Sequence, residues 1–84
     1  MNQNIPDQSR YIPETLKGVV DRVTFHNPDN GWAVLKVLPF DNPSARETVV
    51  VHQTRVFAGA TMEFTGQWTV HPKFGRPFKA VQAR

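Results

Sequence analysis

The 84-residue chain contains no cysteine, which removes both a disulfide framework and a thiolate metal site from consideration. That absence is compatible with a reducing cytoplasm, the location we expect. No apolar run approaches the roughly 20 residues that a membrane-spanning helix needs. The polar start, Met1 to Ser9, lacks the apolar core of a signal peptide, so no membrane partner is expected. No glycine-rich loop ending in Lys and Ser/Thr occurs, and a nucleotide cannot be cradled by that route. The histidines, His26, His52 and His71, stand in separate segments with no close ligand pair, so a metal site would need all of them to converge. Ser9 and Ser44 are poorly placed for a Ser-His-Asp arrangement, and no pair of carboxylates has an apolar setting that would raise a pKa. The chain therefore reads as non-catalytic, without cofactor or metal.

What is present is a small β pattern on a mildly basic chain. Ten Lys and Arg against seven Asp and Glu give a net charge of +3. This leans towards polyanionic partners and is equally compatible with an ordinary basic domain. The length allows one domain with a modest buried fraction and a stability of a few kcal/mol.

Residues 1–13 are polar, carry two prolines and show no periodicity, which reads as a flexible leader that begins to dock near Tyr11 and Ile12. Residues 14–84 read as the folded domain. Leu16, Val19, Val20, Val23 and Phe25 form a long first strand, in which Gly18 permits a bulge or close packing at a bend. Trp32 to Leu38 alternates, with Ala33, Leu35 and Val37 on one face and Trp32, Val34, Lys36 and Leu38 on the other. Glu47 to His52 is a short third strand. Gln53 to Ala60 has no clear period and room for one helical turn. In the fourth strand Met62, Phe64, Gly66, Trp68 and Val70 share the buried face expected of strict alternation. The fifth, Arg76 to Ala83, sets Phe78 and Ala80 against Lys79 and Val81, and Pro77 argues that it begins at an edge.

Two turn-forming segments punctuate this pattern, His26-Asn27-Pro28-Asp29-Asn30-Gly31 and His71-Pro72-Lys73-Phe74-Gly75, each between apolar strands as in a β-hairpin. Gly31 is expected to supply a positive φ, and His26 and His71 to bond turn carbonyls. Five strands in this order, with no convincing amphipathic helix, indicate an all-β, five-stranded OB-like barrel. An SH3-like barrel is the rival. In an OB-like barrel the two hairpin loops are jaws for a ligand lying across the sheet.

The second hairpin and its flank interleave Lys73, Arg76 and Lys79 with Phe74 and Phe78. Single-stranded nucleic acids need this mixture, cations for phosphates and exposed π-faces for bases. Phe74 at the tip is the best stacking candidate, unless it folds back over the barrel mouth. Phe78 and Trp68 belong to the core. If Ala33, Leu35 and Val37 fill the barrel, Trp32 and Lys36 face outwards between the loops; a one-residue slip would exchange the faces. Asp29 would repel a phosphate and weakens the first jaw.

The run from Leu16 to Leu35, with Phe25-His26 followed by Asn27-Pro28-Asp29-Asn30-Gly31 and then Trp32, resembles the N-terminal OB-like domain of RecD-like (RecD/TraA) ATP-dependent DNA helicases. A second stretch of that family, Gly-x-Trp-x-x-His-Pro-x-x-Gly-x-x-Phe, has its counterpart in Gly66, Trp68, His71, Pro72, Gly75 and Phe78. The resemblance covers about residues 15–83. Gln53 to Gly59 departs from the acidic, Pro-containing turn usual there. The resemblance implies that the matched His, Pro, Gly and Trp positions define the fold, and that ATP-dependent unwinding belongs to motor domains C-terminal to this segment. An end at Arg84 suggests an excised domain or a stand-alone relative.

The leading expectation is an accessory module of an exodeoxyribonuclease V α-like helicase of DNA repair and recombination, with the motor domains as partners. It would contact single-stranded DNA through Lys73, Phe74, Arg76 and Lys79, supported by Trp32 and Lys36. One stacked base is worth roughly 1–3 kcal/mol, so isolated binding should be micromolar or weaker. The competing expectation is a scaffold that packs on motor domains or a partner protein through Trp32, Phe57 and Phe74.

Overall fold

The computed structural model describes residues 12–52 and 55–84. Of the leader expected over residues 1–13, residues 1–11 lie outside the described residues, as does the docking point expected at Tyr11. Ile12 is exposed. Five strands follow, β1 (Glu14–His26), β2 (Trp32–Pro39), β3 (Glu47–His52), β4 (Thr61–Trp68) and β5 (Phe78–Ala83). They close into a barrel in the order β1-β2-β3-β5-β4, as the OB-like reading expects.

The length of β1 is what closes the barrel. Its first half, Glu14 to Val19, runs antiparallel to Gly66–Thr61 of β4. Its second half, Gly18 to His26, runs antiparallel to Pro39–Ala33 of β2. A strand shared in this way must bend, and register shifts fall between Val20 and Arg22 and between Val23 and Phe25. Gly18 pairs with both Pro39 and Met62, where β1 is shared between β2 and β4, and it provides the close packing expected of it, since a Cβ there would lie 2.3 Å from the Leu38 carbonyl oxygen. β3 and β5 make the thinnest seam, a parallel pair joined through Val49↔Phe78 and Val50↔Lys79.

The core follows the alternation. Ala33, Leu35 and Val37 from β2, Val49 and Val51 from β3, Met62 and Phe64 from β4, and Phe78 and Ala80 from β5 point inward with Leu16 and Val20. No polar or charged residue is buried among the described residues. Each full burial of a side chain of this kind contributes about 1.5–3 kcal/mol. Trp68 is half-buried, packs against this cluster, and meets Phe78 edge-on at 5.0 Å.

Three local expectations are corrected. Val70 is exposed because β4 ends at Trp68, so the alternation runs one step too far. Pro77 does not mark an edge: β5 lies between β3 and β4, and the proline precedes its first ladder residue. Residues 55–60 form no helical turn. Instead the Gly59 N–H donates to the Val20 carbonyl at 2.7 Å and the Val20 N–H to the Ala60 carbonyl at 2.8 Å. This extends the β1–β4 ladder beyond Val19↔Thr61, while Val56 packs on the core.

Candidate nucleic-acid interface

The first loop joins β1 to β2 and is held by its own asparagines. The Asn27 side-chain oxygen accepts the Asp29 N–H at 2.9 Å, and that of Asn30 accepts the Trp32 N–H at 2.9 Å. Such Asx turns let a short side chain replace a missing backbone partner. The Gly31 N–H donates to the Asn27 carbonyl at 2.8 Å, and Gly31 has the expected positive φ, 75°. The loop carries Asp29 at its tip, with no cation and no aromatic ring.

The second loop joins β4 to β5. His71 and Gly75 exchange both backbone hydrogen bonds, at 2.7 and 2.9 Å, and close the tip over Pro72, Lys73 and Phe74. Gly75 has φ 81°, a left-handed conformation that costs glycine nothing and most other residues a good deal. At the stem the Thr69 N–H and Oγ1 both donate to the Pro77 carbonyl, each at 2.9 Å. Among the described residues the expected carbonyl bonds of the histidines are not made. His71 Nδ1 instead accepts the N–H groups of Lys73 (3.0 Å) and Phe74 (3.2 Å). Nε2 of His26 is buried with no hydrogen-bond partner among the described residues.

Between the loops lies the outer face of β2 and β3. Cross-strand pairing sets Trp32 opposite His52, Val34 opposite Val50, and Lys36 opposite Thr48. The neighbouring strands add Phe25 beside Val34 and Lys79 beside Val50. Phe25 meets Trp32 edge-on at 5.7 Å, and Trp32 meets His52 at 6.5 Å. The second loop reaches this face. Phe74 and Trp32 together line two adjoining depressions, one with Val50, His71, Pro77 and Lys79, the other with Thr24, Phe25, Val34 and Lys73. The result is an apolar, aromatic groove with a cation at either side. Val34 is 2% exposed at this place although its side chain points away from the barrel interior.

Of the six residues singled out from sequence, the structure brings four together. Trp32, Phe74, Lys73 and Lys79 meet at the groove. Phe74 is half-buried and stacked on His71 rather than extended into solvent, with ring centroids 4.6 Å apart and planes at 28°. Arg76 lies beside Trp68 and Glu47, at a separate depression. Lys36 shares the outer face but donates from Nζ to Thr48 Oγ1 at 2.7 Å. Sequence reasoning missed Phe25, which is half-exposed and belongs to the aromatic face. It also missed Val50 and His52, whose place follows only from the β2–β3 register.

Chemically, the groove offers ring faces, ammonium groups and the His71 imidazole. Among the described residues no group of three His, Asp or Glu side chains gathers as a metal site. No helix is long and apolar enough to cross a membrane.

Phe57, the third anchor of the scaffold reading, stands apart from the groove. It is 65% exposed on the segment bonded to Val20, and Val20 pairs with Val37. Val37 lies five residues along β2 from Trp32, about 17 Å at the usual strand rise.

No solved structure matches the chain. Residues 13–84 match the family described as the OB-fold domain of the ATP-dependent DNA helicase YrrC. That span takes in all five strands and both loops, and the chain belongs to this family of helicase OB-fold domains.

Proposed function

We propose that the chain is the accessory OB-fold domain of a RecD-like, exodeoxyribonuclease V α-like ATP-dependent DNA helicase. It is not catalytic itself and contacts single-stranded DNA weakly, with DNA unwinding for repair and recombination carried out in the cytoplasm by motor domains elsewhere in the full-length protein. The observation that carries the DNA contact is the meeting of Trp32, at the start of β2, and Phe74, from the second loop, in one groove flanked by Lys73 and Lys79. Bases stack on aromatic faces without regard to sequence, and ammonium groups follow the phosphates. Arg76 and Lys36 serve at the margin of this site. The RecD-like assignment is supported by the two spaced motifs around Phe25–Trp32 and Trp68–Phe78.

The test is an NMR titration of the chain with a short single-stranded oligonucleotide at low and moderate salt. Salt-sensitive shifts at Trp32, Lys73, Phe74 and Lys79 are the expected result. No shift at millimolar oligonucleotide would sink the DNA contact.

A second reading is favoured by a different observation. Phe40 and Phe57 are exposed on loops away from the groove, where they suit packing on motor domains or a partner protein. Apolar docking at Phe40 and Phe57 would be insensitive to salt, whereas DNA binding weakens steeply with it.

A further inference from the structure

The two loops cap their turns by the same device with different residues. In the first, Asn27 and Asn30 each accept the N–H two residues ahead. In the second, the acceptor is His71 Nδ1, which takes the N–H groups two and three residues ahead. An asparagine would satisfy the first of these bonds. What it lacks is a flat ring, and here the ring lies under Phe74 at 4.6 Å and 28°. A phenylalanine on an exposed turn otherwise samples several rotamers, and freezing them costs entropy when a ligand binds.

We propose that His71 is a positioning residue for Phe74. Its Nδ1 fixes the backbone of Lys73 and Phe74, and its ring face holds one side of the Phe74 ring. The rest of that ring is left to the groove shared with Trp32. As an acceptor Nδ1 carries no proton, so the neutral imidazole holds its proton on Nε2. His71 acts through Phe74 and not by contact with a base or phosphate. The role in binding rests on the single-stranded DNA reading, whereas the role in holding Phe74 does not.

The experiment combines His71→Ala and His71→Asn, each with and without Phe74→Ala, with a short oligodeoxythymidylate at low salt as the probe. His71→Ala should weaken binding about tenfold, within the range of one lost stacked base. In the Phe74→Ala background it should change affinity by less than about twofold, because a residue acting only through its neighbour is not additive with it. His71→Asn should restore the Lys73 amide resonance and recover only part of the affinity. A tenfold loss that persists without Phe74, or no loss at all, overturns the proposal.

Long-range ¹H–¹⁵N spectra of the wild-type chain should show the proton of the neutral ring on Nε2; a proton on Nδ1 overturns it. If the wild-type chain binds no oligonucleotide, the DNA reading alone fails. Positioning is then decided by the Phe74 ring resonances, which must move in His71→Ala and whose constancy would refute it.

Discussion

Each of the two hairpins has an edge-on aromatic pair at its base, but on opposite sides of the barrel wall. Trp68 and Phe78, 5.0 Å apart, flank the second loop, with Phe78 wholly inside the barrel. Phe25 and Trp32, 5.7 Å apart, flank the first loop on the outer face. The geometry is nearly the same, while the solvent differs. A ring inside the barrel contributes its burial to folding, whereas a ring on the outer face keeps a surface that a ligand can still cover. The tips divide in a similar way. The first is closed by asparagines and carries Asp29, while the second is closed by His71 and presents Lys73 and Phe74. The first loop is a strut and the second an arm.

The sharpest way to break this comparison is to truncate one ring of each pair. Phe78→Ala should cost about 3–5 kcal/mol of stability, the range for a fully buried aromatic. On a domain stable by a few kcal/mol that unfolds much of the population, which urea or thermal denaturation would record. Trp32→Ala should instead cost about 1–3 kcal/mol of oligonucleotide affinity and less than about 1 kcal/mol of stability. Equal losses of stability in the two variants would erase the distinction between the inner and outer pairs.

The cations refine it at smaller amplitude. Lys73→Ala and Lys79→Ala should each lower the slope of log affinity against log salt by about 0.7, the value for one phosphate contact on a single strand. Arg76→Ala and Lys36→Ala should lower it by less. Arg76 sits beside Trp68 and Glu47, and Lys36 is engaged with Thr48. Titrations at several salt concentrations measure all four, and equal slopes for Lys73→Ala and Arg76→Ala would widen the site to the far side of the second loop.

That distinction among cations shows where the sequence stops being readable. β4 and the inner face of β2 could be read because strict alternation needs only a parity, and Leu35 or Phe64 then has one place to go. Val23 could not. A register shift between Val20 and Arg22 flips the parity, so Val23 pairs with Leu35 and packs on the core although it stands an odd step from inward Val20, and a second shift before Phe25 flips the parity back. Phe25 thus stands outward, as unbroken alternation from Val20 would place it, and only its membership of an apolar run hides it. Arg76 is two residues from Phe78 but stands in a turn, where alternation says nothing about direction. Val34 has the outward parity expected of it, yet it is covered by partners from β1 and the second loop, contacts that are distant in sequence. The turn residues Asn27, Asn30 and Gly31 were legible as a class because turn chemistry is local. The ring stack of His71 on Phe74 is also local, but no periodicity encodes it.

The smallest predicted effect tests the strut most directly. Asp29 is exposed, and its backbone N–H, not its carboxylate, is what the Asn27 side chain holds. Asp29→Lys should therefore leave the turn and the stability unchanged to within about 0.5 kcal/mol, as for other surface substitutions. It removes a charge that repels phosphate and adds one that attracts it, on the loop between Phe25 and Trp32, which both line the groove. Oligonucleotide affinity should rise a few-fold at low salt and the gain should vanish as screening shortens the reach of the charge. A gain that survives high salt would mean that the new side chain packs on the groove. No gain at any salt would mean that the bound strand passes beyond the reach of the first loop, leaving the second loop and β2–β3 as the whole contact.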